Sequence, residues 1–297
     1  MSARASRRGG AEPGGRPPVG AGPPEGEDMS EGFTLEKFAS HPFYLEVNRR
    51  LVALTGLRQG QRVLDLGAGT GAVTRLLWQE VGCPEAEVIA VEPSPTATEV
   101  ARRNLENLGG AVVRFVHGGA EMLSQLVKKP VDAVFFCNAI HLVHEKERVL
   151  QEIKRTLNAD GTFSFNTSFY QGAEPPEAEQ FYRRWMMRAL RVLKSKYGLM
   201  PDRTRAEARQ RLTEEEYVRL LEANGFRIRN KEVMTVQMPL GGFEDISEYS
   251  LWIEGVLPGV PLAAGADSLK QGAREAFQEL GLKFSPRNWL LVVASRA

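Results

Sequence analysis

Three glycines at alternate positions stand where a strand-like apolar run turns into a helical pattern. They are Gly67, Gly69 and Gly71. The apolar run over 63–66 precedes them, and a helical pattern over 72–81 follows. Glycine has no Cβ, so such a turn can be tight and still touch a ligand. Strand, glycine turn and helix in this order open nucleotide-binding α/β sheets, which predicts a nucleotide-type ligand at this turn.

A second strand of buried type, over 88–92, ends on an acid, Glu92. The acid stands about twenty residues beyond the glycines, where a carboxylate can accept hydrogen bonds from both hydroxyls of a ribose. The glycines read G-x-G-x-G after Asp65, whereas dinucleotide-binding enzymes have G-x-G-x-x-G. The spacing therefore disfavours a dehydrogenase.

This pattern resembles motif I of the class I S-adenosylmethionine (SAM) methyltransferases, and Glu92 matches the acid that ends their second strand. The resemblance extends over residues 61–168. It implies a doubly wound, mostly parallel seven-stranded α/β sheet with an antiparallel last strand and helical cap insertions. It also implies SAM as the cofactor and methyl transfer as the reaction.

The resemblance places cofactor-binding residues along the strand ends. Asp65 would orient the glycine loop or the SAM amino group, Glu92 would hold the ribose, and Asn138 would meet the methionyl end through its backbone. Gly119 replaces the family's usual adenine-binding acid, so adenine would rest on the two residues that follow. The implied cofactor set is Asp65, Gly67, Ala68, Gly69, Gly71, Glu92, Pro93, Gly119, Ala120, Glu121 and Asn138.

The segment after the apolar run 131–137 should border the reacting centre, because the carboxyl ends of parallel strands form the ligand crevice. His141 is the candidate general base for a hydroxyl or carbon acceptor, with a packing role left open. Asn138 is not followed by Pro-Pro and an aromatic residue, which argues against enzymes that methylate adenine or glutamine amino groups. Candidate substrate contacts, each of which could also be a core aromatic, are Tyr44, Tyr170 and Trp185.

Strands and helices alternate up to a fifth strand over 162–168, which predicts a parallel sheet with right-handed crossovers. Later strands are predicted over 226–238 and 289–295. A helix from Pro95, capped by Ser94, should end at Gly109, and a capping box is predicted at Thr213 and Glu216. Other predicted helices cover 34–54, 145–157, 177–197, 206–221, 244–256 and 266–280, with a turn at 158–161.

The domain organisation follows from composition. Residues 1–30 are rich in proline and glycine and are predicted to be a disordered tail, with Met29 as an alternative start. Residues 31–297 are predicted to form one methyltransferase domain. Its helical cap should come from segments 31–58, 170–225 and 242–286.

The chain has 297 residues, a net charge of +1 and two cysteines without metal-site spacing. We therefore expect no metal, no membrane partner and no broad attraction for nucleic acid. Low cysteine usage and the lack of a signal-peptide pattern predict a cytoplasmic location. The predicted function is methyl transfer from SAM to a small, apolar or aromatic metabolite. The alternatives are an RNA or protein methyltransferase, or a non-catalytic SAM-binding subunit.

Overall fold

The computed structural model describes residues 33–106, 108, 112–202 and 211–297. Several predictions concern residues outside these ranges: the disordered tail 1–30 with its alternative start, the helix end at Gly109, and residues 206–210 of a predicted helix.

Seven strands form one sheet around which the helices are arranged. The strands are β1 (Arg62–Leu66), β2 (Glu87–Glu92), β3 (Val112–His117), β4 (Val131–Cys137), β5 (Leu157–Thr167), β6 (Phe226–Pro239) and β7 (Phe284–Arg296). Their order across the sheet is β3-β2-β1-β4-β5-β7-β6. The first five strands pair in parallel, and β7 lies antiparallel between β5 and β6. This order confirms the predicted fold class, and its switch point lies between β1 and β4.

The described helices cover both faces of the sheet. They are α1 (Glu36–Ala39), α2 (Pro42–Thr55), α3 (Ala72–Val81), α4 (Pro95–Leu105), α5 (Leu123–Leu126), α6 (Lys146–Thr156), α7 (Glu179–Tyr197), α8 (Glu214–Ala223), α9 (Leu240–Ile246), α10 (Ser250–Val256) and α11 (Leu262–Leu280). Ser94 caps α4, and Thr213 and Glu216 form a capping box on α8, which confirms both predicted caps. Within the described ranges, no helix is long and apolar enough to cross a membrane.

The sheet separates two hydrophobic clusters, because successive strand residues point to opposite faces. On β1, Val63 joins the cluster that includes Leu51, Trp185 and Leu269. The next residue, Leu64, joins the cluster on the other side. The central strands are thus buried on both faces, and open space remains only where they end.

Two predicted helices are each divided in the structure. The segment 34–54 forms α1 and α2, because Pro42 has no N–H to continue a helix and instead occupies the first turn of α2. The segment 244–256 forms α9 and α10, separated by residues 247–249.

Three predicted boundaries are also wrong. The turn predicted at 158–161 belongs to β5, which begins at Leu157 with an irregular register against β4. Helix α4 ends at Leu105, before the predicted end. Helix α8 begins at Glu214, directly after its N-cap Thr213. Residues 211–213 were predicted to be helical, but they are not.

Candidate active site: a cavity at the carboxyl ends of the central strands

A cavity of about 710 Å³ lies where β1, β2 and β4 end. Its strand-end wall consists of residues that follow the strands, including Gly67, Ala68, Gly69, Glu92, Pro93, Gly119, Ala120, Glu121 and Asn138. Its cap wall comes from the N-terminal segment and the helices opposite, including Phe33, Leu35, Tyr44, Tyr249, Ser250, Leu251 and Leu262. The structure thus brings most of the implied cofactor set to one wall.

The glycine loop turns with positive φ at all three glycines: 66° at Gly67, 53° at Gly69 and 85° at Gly71. The N–H groups of Gly67 and Ala68 both donate to the Val91 carbonyl, at 2.8 and 3.1 Å, which holds the loop against β2. A Cβ at Gly69 would meet no atom within 4 Å, so this residue borders open space. The loop therefore leaves room for a ligand at Gly69.

Gly71 has a different role from Gly69. It is the N-cap of α3 and does not line the cavity. A Cβ at Gly71 would lie 3.0 Å from Leu105 Cδ1 and 3.3 Å from Ala101 Cβ on α4. Gly71 therefore allows α3 and α4 to pack closely.

The Glu92 carboxylate is held at the edge of the cavity. It accepts hydrogen bonds from Gly69 N–H at 2.8 Å and from Ser94 N–H at 2.9 Å. Burial raises the pKa of Glu92, and these two bonds oppose that shift. A carboxylate has about four acceptor sites, so this one can still accept hydroxyl donors from a ligand.

Asp65 is buried below the loop and does not line the cavity. Its Oδ2 accepts a hydrogen bond from the Thr74 hydroxyl at 2.6 Å, which ties β1 to α3. Burial raises the pKa of Asp65 to about 7, against the Thr74 bond, which lowers it. This position supports the loop from beneath and makes no contact with the cavity.

The turn after β3 and the end of β4 complete the strand-end wall. Gly119, Ala120 and Glu121 face the cavity directly after β3. Asn138 follows β4 and has a φ of 50°, a left-handed conformation that no other non-glycine residue of the described chain adopts. Its N–H donates to Asn166, at 2.9 Å to the carbonyl and 3.0 Å to Oδ1.

The predicted base, His141, lies behind this wall and does not line the cavity. Its ring stacks on Phe169 at a centroid separation of 4.1 Å, and its Nδ1 is 3.2 Å from the Thr167 hydroxyl. The described position is that of a packed, hydrogen-bonded imidazole, and its catalytic role stays a prediction.

The three predicted substrate contacts are distributed unequally. Tyr44 lines the cavity from α2, and burial raises the pKa of its phenol, so its hydroxyl stays protonated. Trp185 is fully buried, and its indole N–H donates to the Leu269 carbonyl at 2.8 Å. Tyr170 is packed in the cluster that contains Leu64. The cavity wall therefore includes Tyr44 but neither of the other two.

Most of the cap wall could not be identified from sequence. Tyr249 belongs to an aromatic-rich insertion, which is a weak signal for a pocket. No pattern singles out Phe33, Leu251 or Leu262. The N-terminal segment meets α10 through a hydrogen bond from Ser250 N–H to the Phe33 carbonyl at 3.1 Å. Such a wall depends on contacts between segments that are far apart in the chain.

Residues 63–161 match a protein family that is described as a methyltransferase domain. The chain therefore carries a methyltransferase domain over these residues. The match to this family and to a relative described as a probable S-adenosylmethionine-dependent methyltransferase supports SAM as the cofactor of this domain.

Two curated relatives are similar over part of the chain. Arsenite methyltransferase of Mus musculus is 33% identical over 124 residues, which cover 39% of this chain and 32% of that protein. The ubiquinone/menaquinone biosynthesis C-methyltransferase UbiE of Pasteurella multocida is 32% identical over 114 residues, which cover 38% of this chain and 42% of that protein. The chain thus spans less than half the length of these two relatives.

A solved structure extends the fold comparison over most of the chain. The mycolic acid cyclopropane synthase CmaA1, solved in complex with S-adenosylhomocysteine (SAH) and CTAB, has a TM-score of 0.55. The match covers 91% of this chain and 94% of that one, at 14% identity. This likeness shows that the two proteins share a fold over most of their lengths.

Proposed function

We propose that this chain transfers the methyl group of SAM to a small, apolar or aromatic metabolite. The observation that carries the proposal is the pairing of two unlike walls around one cavity. The strand-end wall offers backbone groups and a carboxylate, and the cap wall offers aromatic and aliphatic side chains. The volume of about 710 Å³ lies in the range of small-molecule sites.

The strand-end wall fits the parts of SAM in order. The open space at Gly69 accommodates the methionine portion, and the spare acceptor sites of Glu92 suit the ribose hydroxyls. Gly119, Ala120 and Glu121 would flank adenine. The Asn138 N–H is already bonded to Asn166, so Asn138 would meet the methionyl end through its carbonyl.

The protein's contribution to catalysis is positioning. SAM supplies a methyl group on a good leaving group, so holding the acceptor in line can supply much of the rate enhancement. Tyr44 can donate a hydrogen bond to the acceptor but cannot act as a base, because burial keeps its phenol protonated. We propose that His141 supports Phe169 by stacking, since its side chain does not line the cavity and would have to move to reach an acceptor.

The two relatives point to different acceptors, and the cavity favours one of them. Arsenic(III) is a soft centre that prefers thiolate ligands. This chain has two cysteines, and only Cys137 lines the cavity, where burial raises the pKa of its thiol well above the usual value. An apolar ring, as in a quinone precursor, suits the aromatic cap wall better.

The basic face of α7 argues against an RNA substrate, because acids already pair with some of its cations. Its residues Arg184 and Lys196 are paired with acids of the neighbouring helix α11. Arg184 lies 3.4 Å from Glu279, and Lys196 lies 2.9 Å from Asp267. These cations stabilise the contact between two helices and leave less positive charge for phosphates.

The test is an incubation of the purified protein with methyl-labelled SAM and separate pools of aromatic and quinol metabolites, arsenite, total RNA and protein. We expect label in an apolar small molecule together with release of SAH. Label confined to RNA or protein would replace this proposal with a macromolecular methyltransferase. Binding of SAH without label in any pool would indicate a non-catalytic SAM-binding subunit.

A further inference from the structure

Four buried polar residues are joined through Asn138 into one hydrogen-bonded path beneath the strand-end wall. They are Asn48 on α2, Asn166 on β5, Ser168 just after β5 and Arg287 on β7. Their exposed fractions are 1%, 0%, 3% and 4%. Buried polar groups of this kind are costly unless they are satisfied, so a fully bonded path indicates a defined task.

One half of the path connects α2 to Asn138. The Asn48 side-chain N–H donates to the Tyr44 carbonyl at 2.8 Å, and Tyr44 lines the cavity. Asn166 Nδ2 donates to Asn48 Oδ1 at 2.8 Å. Asn166 Oδ1 then accepts from Asn138 N–H at 3.0 Å. These hydrogen bonds therefore fix the distance between the α2 side of the cavity and the end of β4.

The other half connects Asn138 to β7. Its Oδ1 accepts from the N–H and the hydroxyl of Ser168, at 3.1 and 3.2 Å. Arg287 Nη2 donates to the Ser168 carbonyl at 2.6 Å, and Nη1 donates to the Tyr182 hydroxyl at 2.9 Å. The guanidinium also lies over the ring of Phe169, 5.5 Å from its centroid.

Arg287 is walled off from the large cavity. The space beside it, which Asn138 and Trp252 also line, has a volume of about 10 Å³. Such a space holds at most one water molecule, so no substrate group reaches the guanidinium. Arg287 can therefore act on the cavity only through the residues to which it is bonded.

The path reaches the cavity at Asn138, whose strained backbone conformation requires stabilising contacts. Asn138 is in the left-handed region at φ 50°, which is strained for a residue with a Cβ. Both its N–H and its side-chain oxygen are bonded to the path. Strained residues persist where the surrounding structure determines them, and here that structure is the path.

We propose that Asn48, Asn166, Ser168 and Arg287 are positioning residues that hold Asn138 in its left-handed conformation, and so set the wall against which the cofactor binds. The choice of SAH as the probe rests on the proposed function. The conformational claim does not depend on it.

A double-mutant cycle between Asn166 and Asn138 tests this role by calorimetric titration with SAH. Asn166→Ala removes the side-chain acceptor of Asn138 N–H and the bond to Asn48, leaves only the Asn166 carbonyl as acceptor, and should weaken SAH binding about tenfold. Asn138→Gly provides the second background of the cycle, because glycine adopts the left-handed region without strain and does not need the path to hold it there. In the Asn138→Gly background, Asn166→Ala should cost clearly less, since contacting residues couple.

Asn224→Ala is the matched control. Asn224 is also a buried asparagine with side-chain hydrogen bonds, to Gln151 and to the Leu220 carbonyl, and it does not line the cavity. It should lower the melting temperature and change SAH affinity by less than about twofold. Equal losses of SAH affinity in Asn166→Ala and Asn224→Ala, or equal losses in both Asn138 backgrounds, would overturn the proposal.

Two further measurements keep the outcomes separate. If Asn166→Ala does not fold, Asn48→Ala replaces it in the cycle, because it removes the acceptor that orients the Asn166 amide toward Asn138 N–H. If the wild type binds no SAH, the proposed function fails. The double-mutant cycle is then measured as changes in the free energy of unfolding. Coupling there supports the positioning role, and additivity contradicts it.

Discussion

The two walls of the cavity differ in the groups that they present. The strand-end wall is backbone and a carboxylate, and hydrogen bonds join its glycine loop to the end of β2. The cap wall is side chains from separate segments, such as Tyr44 on α2, Leu251 on α10 and Leu262 on α11. A rigid polar wall suits one invariant cofactor, and a wall of side chains can vary in shape to suit an acceptor. Substitutions in the two walls should therefore have separable effects.

The largest expected effect belongs to Glu92 in the strand-end wall. Glu92→Ala should weaken SAH binding by about 1–3 kcal/mol, because a charged acceptor for the ribose hydroxyls is lost. Glu87→Ala is the control, since Glu87 begins the same strand and pairs with Arg62 at 2.5 Å, away from the cavity. Calorimetric titration measures both. Equal affinities in the two variants would place the ribose elsewhere.

The next effect separates two glycines of one loop. Gly71→Ala should lower the free energy of unfolding by about 1–3 kcal/mol, because the new Cβ meets Leu105 at positive φ. Gly69→Ala should cost less stability, since open space surrounds its Cβ, but it should weaken SAH binding more. Urea unfolding and calorimetry give the two quantities. The reverse ranking would mean that Gly69 does not face the cofactor.

A substitution in the cap wall should spare cofactor binding. Tyr249→Ala should keep SAH affinity within about twofold while turnover of the acceptor falls about tenfold, because an aromatic contact worth ~1 kcal/mol or more is lost. Met187→Ala, on the exposed face of α7, should change neither quantity. A loss of SAH affinity in Tyr249→Ala would show that the cofactor extends into the cap wall.

The last expected effect is a pH dependence of stability that comes from Asp65, below the strand-end wall. The pKa of Asp65 is raised to about 7 by burial, so the folded state holds this proton more tightly than the unfolded chain does. Its charge therefore destabilises the folded state as the pH rises from about 4 to about 7. The unfolding free energy of the wild type minus that of Asp65→Asn should fall across this window. A constant difference between the two proteins would contradict the assignment.

The sequence predicted the strand-end wall because local pattern determines it. Gly67, Gly69 and Glu92 stand at fixed distances from strand ends, and parallel strands bring their carboxyl ends together. The same logic brought Asn138 to the site. It included Gly71 and Asp65 in the implied cofactor set but could not show that one packs against α4 and the other bonds to Thr74, since those contacts depend on neighbouring helices.

The cap wall could not be predicted from the sequence, and the reason is physical. An amphipathic stripe shows that Trp185 and Tyr182 face inward, yet it does not distinguish a core from a pocket. Trp185 packs in a cluster, whereas Tyr249 borders the cavity, and both belong to aromatic-rich helical insertions. The path through Asn166 and Arg287 had no sequence signal either, because it joins α2, β5 and β7 across more than a hundred residues.

The most direct test of the account is calorimetric titration of the purified protein with SAH, with NADH as the control ligand. The two-wall account predicts micromolar binding of SAH and no binding of NADH. Binding of neither ligand, or of NADH alone, would contradict the assignment of the strand-end wall to SAM.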